Sequence, residues 1–538
     1  MLQGFASAYY QCDPRSSGFL EPRFTRVDER RGAVETARAR RIAPALLRAI
    51  QEQNEALGPS VARAHQLEKL TQPGAAVVVT GQQLGLFLGP LYTVYKALTA
   101  VEWAKRLEAE TGHPVVPVFW LQTEDHDFDE VAVFRAAEAA GALEEIRLPK
   151  RSGRRSISSL AHDDAIEAAL EVLRRGLEGL PEGEREFERF RSNYVSGRPW
   201  VDSFTQTMAE YFQDEGLVFL NPRCAEVAEL AAPIHARAVE ESDVVGGLLL
   251  NRAKELESKG FKVQVPIRPE CTLSFYHPDG NSGDRFRLRP GGGDFELAGR
   301  AGSVSSSEVR KTLDTDPLCF SSSALLRPIV QDTLLPTAAY VGGPGEISYF
   351  AELEPLYGHF EVPMPMIVPR RHFAVVGSAL TRALNHVGLG PEEATPENLD
   401  RVALEQMKVD PEWLHSRLRD ALESELAAVE HKLLEIDKGL ARPLEQTRKT
   451  VGFALEKLST RVGSAQMRSD TTLQARIERI RDELYPFGAP QERILGCPSF
   501  FARYGVEGFK SALRSASDVP AGERAVVAPV PIPTGGAL

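Results

Sequence analysis

The acidic segment Glu124–Glu130 holds the densest group of chemically active side chains in the sequence. Five of its seven residues are carboxylic acids and a sixth is histidine. Such side chains can bind a substrate ammonium group, hold a divalent metal or remove a proton as a general base. We take Asp125, His126 and Asp127 as candidate catalytic residues and Glu124 as a candidate substrate ligand. The alternative is a solvated acidic loop that caps the next helix.

A glycine-containing segment, Thr80–Pro90, could approach a ligand through its backbone. It joins a buried apolar run to a helix, and glycines before a helix N-terminus let N–H groups reach an anion. Two glutamines add neutral groups that can orient a carboxylate or a sugar hydroxyl. The candidate ligand-binding residues are Gly81, Gln82, Gln83, Gly85 and Gly89. The spacing matches neither a dinucleotide fingerprint nor a Walker A loop, and a turn that needs glycine only for its conformation is the alternative.

A third segment, Gly342-Gly343-Pro344-Gly345-Glu346, also follows an apolar run and opens a helical pattern. Gly342, Gly343, Gly345 and Glu346 are therefore further candidate ligand-binding residues. Arg327, upstream of the same run, is a candidate contact for an anionic substrate. The alternative for the loop is a rigid turn with its glutamate near the helix N-terminus.

Short apolar runs precede all three segments and predict the strands that position them. The runs 75–79, 115–121 and 337–341 are rich in small, β-branched or aromatic residues, as are 217–220 and 366–368. This pattern is typical of strands buried on both faces of a parallel sheet. A helix predicted between the first two completes a βαβ unit. Ligands bind outside the carboxyl ends of such strands, so the three segments should border one crevice.

The remaining patterns divide the chain into several parts. Leu422, Leu426, Val429, Leu433, Ile436 and Leu440 alternate spacings of four and three, which is typical of a coiled-coil seam. Glycine and proline near residue 440 predict a reversal into a second helix. We predict an α/β core in residues 1–150, 216–259 and 319–395, a helical insertion in 151–215, a second insertion with antiparallel strands in 260–318, a helical coiled-coil hairpin domain in 396–485, a segment packing on the core in 486–515 and a flexible tail in 516–538.

Composition narrows the function classes. The net charge of −12 weighs against nucleic acid and acidic membranes as partners, since both favour a basic face. The five cysteines form no CxxC pair, which indicates a reducing cytoplasm rather than a disulfide framework. No apolar run predicts a signal peptide or a membrane span. The acidic segment lacks the glycine of an EF-hand loop, and we assign no metal ligands.

Four strings together resemble one family, the cysteine-adding enzymes (cysteine ligases) of bacillithiol biosynthesis. They are TGQQLGLFLGPLYTVYKA, TEDHDFDEV, LLRPIVQDTLLPTAAYVGGPGEISYF and PFGAPQER. The resemblance runs from about residue 1 to residue 515. It implies a Rossmann-like parallel-sheet core with two connecting-peptide insertions and an α-helical coiled coil that mediates homodimerisation.

The resemblance also implies a reaction, the last step to the low-molecular-weight thiol bacillithiol. L-cysteine is joined through its carboxyl group to the glucosamine amine of glucosaminyl malate. Amide formation from a free carboxylate is uphill in water, so ATP is the expected co-substrate. The architecture is similar to that of class I aminoacyl-tRNA synthetases, but the chain carries neither HIGH-type histidines nor a KMSKS-like motif. A transferase that uses a pre-activated cysteine donor, or a non-enzymatic scaffold of the pathway, is the alternative.

Overall fold

The computed structural model describes residues 4–137, 143–405, 409–469, 471–516 and 519–532. The contact pattern divides the chain into two compact units. The first contains Met1–Ala374 and Glu492–Leu538, and the second contains Val375–Gln491. The sequence had placed the helical domain in 396–485, so the second unit begins earlier than predicted.

The strands, in chain order, are β1 (Ala76–Gln82), β2 (Val115–Leu121), β3 (Val133–Ala137), β4 (Leu143–Arg147), β5 (Val218–Leu220), β6 (Ser274–Tyr276), β7 (Phe286–Gly291), β8 (Asp294–Leu297), β9 (Ser303–Ser305), β10 (Phe320–Ser322), β11 (Thr337–Gly342), β12 (Met366–Pro369), β13 (His372–Val375) and β14 (Arg524–Val527).

The helices are α1 (Phe5–Tyr10), α2 (Val27–Arg38), α3 (Pro44–Glu55), α4 (Val61–Leu70), α5 (Tyr92–Thr111), α6 (Phe128–Val131), α7 (Ala165–Leu177), α8 (Gly183–Asn193), α9 (Trp200–Tyr211), α10 (Ala225–Glu240), α11 (Ser242–Ser258), α12 (Ser306–Thr315), α13 (Arg327–Leu334), α14 (Pro344–His359), α15 (Ser378–Val387), α16 (Pro396–Glu405), α17 (Pro411–Ile436), α18 (Ala441–Ser469), α19 (Thr471–Leu484), α20 (Gln491–Ile494), α21 (Pro498–Tyr504) and α22 (Val506–Ser515). None of them, in the residues described, has the length and apolar composition that crossing a bilayer requires.

The first unit is built on a parallel sheet with the strand order β12-β11-β1-β2-β5. The strands are buried along almost their whole length, because helices such as α5 and α14 pack on the sheet. Their apolar, β-branched composition suits burial on both faces. The predicted parallel-sheet α/β core is confirmed. All five carboxyl ends lie at one edge of the sheet.

A second sheet in the same unit is antiparallel, with the order β10-β6-β7-β8-β9. Its inward residues form a separate small core with α12, which includes Tyr276, Leu288 and Phe320. The strands fall within the region where the sequence predicted antiparallel pairing, and β10 follows it directly. This sheet lies beside the acidic segment, because the turn before β7 contacts that segment through Arg285.

The second unit is helical. In it α17 and α18 form an antiparallel hairpin, closed by a 3₁₀ turn at Lys438–Leu440. Leu422 and Leu426 are half-buried against the partner helix, but Val429 and Ile436 are 42% and 77% exposed. Val429 and Ile436 therefore do not face the partner helix of the hairpin, and the predicted contact of this seam with a second chain stays a prediction. The half-buried leucines of α17 recur every four residues from Leu414 to Leu426, so over this stretch its inner face departs from the three-four alternation.

The C-terminal segment differs from the predicted flexible tail. Residues 524–527 form β14, which pairs with β13. Ala525 and Val527 alternate with more exposed neighbours and are buried, as expected of a strand that covers apolar surface. Gly522 packs so closely on Tyr10 that a Cβ atom at this glycine would lie 2.3 Å from the tyrosine ring. The four prolines of residues 519–538 led to the prediction of a flexible tail, and this strand of four residues is too short to show a clear alternating pattern.

Candidate active site

A polar cavity of about 340 Å³ opens at the carboxyl ends of the parallel strands. The segments that follow β1, β2, β11 and β12 all contribute to its wall, as strand order alone would dictate. The antiparallel sheet and the segment before α21 supply the rest. The lining residues include five cations and three carboxylates, namely Lys96, Arg285, Arg327, Arg370 and Arg493, with Glu124, Asp125 and Glu346. The cavity is thus net positive although the chain is acidic.

The carboxylates that follow β2 form one end of the cavity. Glu124 accepts a hydrogen bond from the Ser322 amide at 3.2 Å, and burial raises the pKa of this carboxyl group. Asp125 accepts one from Gln83 Nε2 at 2.5 Å and lies 3.3 Å from Arg285. Burial raises the pKa of Asp125, but hydrogen bonds from His126 and the Arg285 charge outweigh it and hold the pKa well below its usual range. Asp125 is therefore ionised at any physiological pH.

A buried lysine connects the glycine-containing segment Thr80–Pro90 to the segment Gly342–Glu346. The Lys96 ammonium, on α5, donates to the Gly81 carbonyl at 2.8 Å and to Gln82 Oε1 at 2.9 Å, and it pairs with Glu346. These three acceptors use its three protons. Glu346 also accepts from the Tyr340 hydroxyl, at 2.6 Å. The pKa of Lys96 is lowered, because burial outweighs the attraction of the carboxylate.

Arg327, at the start of α13, provides a second type of cation. Its guanidinium donates to Gln331 Oε1 at 2.8 Å and to the Tyr349 hydroxyl at 2.7 Å, both neutral groups. In the part of the chain that the structure describes, no carboxylate oxygen lies within 4 Å of this guanidinium, and the residue is 7% exposed. By contrast Arg370, also on the cavity wall, is paired with buried Glu492 at 2.7 Å. Burial lowers the pKa of Arg327, but Tyr340, Tyr349 and Glu346 outweigh it and raise the pKa, so the guanidinium stays charged and can bind an anion.

A smaller cavity of about 230 Å³ adjoins the first and shares Gln82, Gln83, Tyr92 and Arg493 with it. The glycine loop and the N-terminus of α5 line it. Thr93, in the first turn of α5, is 1% exposed, and its hydroxyl has no hydrogen-bond partner among the residues that the structure describes. Buried hydroxyl groups are rarely left unpaired, so this one favours a ligand or a water molecule in the cavity.

The structure distributes the predicted site residues unevenly. Gln82, Gln83, Glu124, Asp125, Arg327, Gly343, Gly345 and Glu346 line the larger cavity, and Gly85 and Gly89 line the smaller one. Gly81 and Gly342 are packed within the sheet edge behind it, where a Cβ atom at Gly81 would lie 2.9 Å from the Trp120 carbonyl oxygen. Asp127 is exposed and caps α6 by accepting from the Glu130 amide at 3.2 Å. His126 lies outside the lining residues and is bonded to Arg285.

Sequence reasoning missed Lys96, Arg285 and Arg370. Lys96 had a detectable signal, because it is the one charged residue in the apolar helical stretch from residue 91 to 101. A lysine on such a face must bury its charge or reach a polar site. Arg285 and Arg370 had no such signal in the sequence, since their hydrogen-bond partners lie more than 100 residues away along the chain. Among the described residues, no three histidine, cysteine or acidic side chains are placed to hold a metal ion together.

Comparisons with known proteins agree with this architecture. Residues 2–371 match the family described as bacillithiol biosynthesis BshC, N-terminal Rossmann-like domain, and residues 393–523 match its C-terminal coiled-coil domain. Three relatives carry the name "Putative cysteine ligase BshC". That of Salinibacter ruber is 32% identical over 505 residues, covering 90% of both chains. That of Solibacter usitatus is 32% identical and covers 82% of both chains. That of Prosthecochloris aestuarii is 30% identical and covers 84% of this chain and 83% of the relative.

Proposed function

The chain belongs to the bacillithiol biosynthesis BshC family, and we propose that its larger cavity joins the carboxyl group of L-cysteine to the amine of glucosaminyl malate. The observation that carries this proposal is the chemistry of the cavity, with carboxylates at the end that follows β2 and, on α13, an arginine that forms no direct ion pair with any described residue. Glucosaminyl malate has the complementary groups, an ammonium on the sugar and two carboxylates on the malate.

The amine of the acceptor binds beside Asp125 and Glu124 in this proposal. Asp125 stays ionised, so it attracts the ammonium form at every relevant pH. Glu124 has a raised pKa and is the better of the two as a proton acceptor. Loss of a proton from the ammonium frees the nitrogen lone pair for attack. Gln83, which donates to Asp125, fixes the carboxylate for this role.

The malate carboxylates bind at Arg327. Its neutral partners, Gln331 and Tyr349, hold the guanidinium in place without neutralising it. A planar guanidinium matches a carboxylate in a bidentate pair, and burial strengthens that pair. Gly343 and Gly345, in the segment that follows β11, have no side chains and so leave the malate carboxylates room to approach.

ATP is the proposed source of activation, and the smaller cavity has the groups to hold its phosphates. The N-terminus of α5, the exposed Arg493 and the Thr93 hydroxyl, which no described residue binds, all suit an anion. ATP would make the cysteine carboxyl group a good electrophile. The shared residues Gln82 and Gln83 line both cavities, so an activated carboxyl group there would face the acceptor amine.

One observation favours the alternative of a pre-activated cysteine donor. The glycine loop uses several of its own N–H groups, because Gly89 donates to Leu86 at 2.9 Å and Leu91 donates to the Leu495 carbonyl at 2.7 Å. Those N–H groups are not available to phosphates. In this second candidate the same acceptor site operates, and the donor arrives already activated.

The two candidates are separated by incubating purified protein with glucosaminyl malate and one of two donors, either free cysteine with and without ATP, or a thioester of cysteine without ATP. Mass spectrometry measures a product equal to the sum of both substrates less one water. The ligase predicts this product only with ATP, together with equimolar AMP or ADP. Product without nucleotide consumption, from a thioester of cysteine, supports the transferase. No product from either donor would support a scaffold role and refute both.

The chain is also proposed to form a homodimer through the helical hairpin of the second unit. Large apolar side chains are exposed at both ends of α17 and on α18, namely Trp413 at 56%, Ile436 at 77% and Phe453 at 68%, and contact with a second chain would bury them. Multi-angle light scattering should give twice the chain mass of 59.1 kDa. Substituting Ile436 and Phe453 with serine should yield monomers, and a monomeric parent chain at micromolar concentration would contradict the proposal.

A further inference from the structure

Four residues line both cavities and so form a junction between them, namely Gln82, Gln83, Tyr92 and Arg493. The larger cavity contains the carboxylates that we assign to the acceptor amine, and the smaller one adjoins the glycine loop. A ligand group at this junction can contact groups from either cavity. The hydrogen bonds of the junction residues fix which of their atoms can donate to such a ligand and which can accept.

A lysine sets the direction of hydrogen bonding at Tyr92. The Lys96 ammonium has no acceptor, so Gln82 Oε1, at 2.9 Å, accepts from it. Gln82 Nε2 is then the donor to the Tyr92 hydroxyl oxygen, at 3.4 Å. Burial raises the pKa of Tyr92 to about 12, so the hydroxyl keeps its proton at physiological pH. No described residue accepts that proton, and Tyr92 therefore offers a free donor at the junction.

Arg493 adds a positive charge from a rigid part of the chain. The residue before it, Glu492, is buried and accepts three hydrogen bonds, from Arg370 Nη2, His372 Nδ1 and the Phe373 amide, at 2.7, 2.8 and 3.1 Å. The Arg493 side chain itself is exposed and, among the described residues, forms neither a hydrogen bond nor an ion pair. A solvated surface arginine is the ordinary explanation for such a side chain. The anchored backbone and the position on both cavity walls favour ligand binding instead.

The junction also carries acceptors for a cation. Gln83 uses both of its amide protons, since Nε2 donates to Asp125 at 2.5 Å and to Glu130 at 2.8 Å. Its Oε1 atom can only accept, and no described residue donates to it. Glu130 lines the smaller cavity, and its charge and that of Arg493 have the largest effects of any charges on the pKa of Tyr92. One small region thus holds complementary groups for a carboxylate and for an ammonium group.

We propose that Tyr92 and Arg493 bind the carboxylate of the cysteine substrate at this junction, and that Gln83 and Glu130 bind its ammonium group. This inference rests on the proposed function, because it identifies where the donor amino acid binds in the same site. The Tyr92 hydroxyl donates to a carboxylate oxygen, and the Arg493 guanidinium supplies the opposite charge. Because Arg493 also lines the smaller cavity, it reduces the repulsion between this carboxylate and the phosphates of ATP.

Calorimetric titration of the full-length protein should compare L-cysteine with cysteamine, which has the thiol and the amine but no carboxyl group. The parent should bind cysteine more tightly than cysteamine. Tyr92→Phe should weaken cysteine binding about 10-fold, the usual effect of losing one hydrogen bond to a charged group, and leave cysteamine binding unchanged. Arg493→Gln should weaken cysteine binding about 5-fold, since its side chain is exposed. Equal affinity of the parent for both compounds, or no binding of cysteine, would overturn the proposal.

Two matched variants serve as controls. Tyr10→Phe removes a buried hydroxyl that no described residue binds, and Arg31→Gln removes an exposed charge that pairs with no described residue. Neither residue lines either cavity, so both variants should bind cysteine like the parent. Cysteine binding by Tyr92→Phe as tight as that by Tyr10→Phe would overturn the proposal.

The titration also separates this inference from the proposed function, because binding is measured without turnover. If the parent prefers cysteine and the two junction variants lose that preference, but no amide product forms, the proposed function fails and the cysteine site stands. If the amide forms and both junction variants keep the parental KM for cysteine, the proposed function stands and this inference fails.

Discussion

Replacing Arg327 should separate recognition of the malate from all other steps. Arg327→Gln keeps a polar side chain but removes a buried charge whose described partners are neutral. Removing one partner of a buried, hydrogen-bonded charge pair costs about 2–5 kcal/mol. With about 3 kcal/mol at 1.36 kcal/mol per tenfold, kcat/KM for glucosaminyl malate should fall about 150-fold. Arg327→Lys keeps the charge without the bidentate geometry and should lose less.

The assay compares glucosaminyl malate with methyl glucosaminide, which has the amine but no carboxylate. Steady-state kinetics on both substrates with one enzyme preparation cancel any effect of the substitution on folding. The parent should prefer glucosaminyl malate strongly, and Arg327→Gln should lose most of that preference. Arg106→Gln, with the same charge change on a side chain 51% exposed and outside the cavity, serves as the control. An equal loss on both substrates in Arg327→Gln would refute the assignment.

Three further results are expected. Lys96→Met should destabilise the fold by about 3–5 kcal/mol, because Glu346 is left buried without its cation. Adding Glu346→Gln to this variant should restore most of the thermal stability. A double variant no more stable than Lys96→Met would show that the two residues are not coupled. Burial raises the pKa of Glu352 to about 7, so the native state holds a proton that the unfolded chain releases at lower pH, and stability from this group falls as pH rises towards 7. The Tm advantage of Glu352→Gln over the parent should therefore grow from pH 5 to pH 8, and a constant difference would refute this. Gly85→Ala should lower both activity and Tm, because its Cβ would lie 2.8 Å from a backbone carbon across the loop, whereas Gly32→Ala, which meets nothing within 4 Å, should not.

Local chemistry made the core and part of the site predictable. The β-branched run of β1 and the apolar run of β2 indicated buried parallel strands, and strand direction then placed Gln82 and Asp125 at one edge. These inferences needed only neighbouring residues and a rule about sheet edges. The glycine loop was correctly placed by the same logic. Its N–H groups were not predictable, since their partners include the distant Leu495 carbonyl.

Contacts between distant segments account for what the sequence did not predict. Arg285 and Arg370 gain their roles from partners at Asp125 and Glu492, which only the folded chain brings within reach. Asp127 and Asp125 are equivalent in the sequence pattern, yet one caps α6 at the surface and the other faces the cavity. Spacing within seven residues cannot distinguish them, because the direction of each side chain depends on the short helix α6, which begins at Phe128 directly after Asp127.

The difference between Asp125 and Asp127 provides the most direct test of the proposed site. Mass spectrometry of the amide product should be performed on Asp125→Asn and Asp127→Asn, with ATP, cysteine and glucosaminyl malate. Asparagine caps a helix about as well as aspartate, so Asp127→Asn should form product at close to the parental rate. Asp125→Asn removes the ionised partner of the acceptor amine and should reduce kcat/KM about 100-fold, a loss of about 2.7 kcal/mol. Parental activity in Asp125→Asn, or an equal loss in both variants, would contradict the placement of amide formation in this cavity.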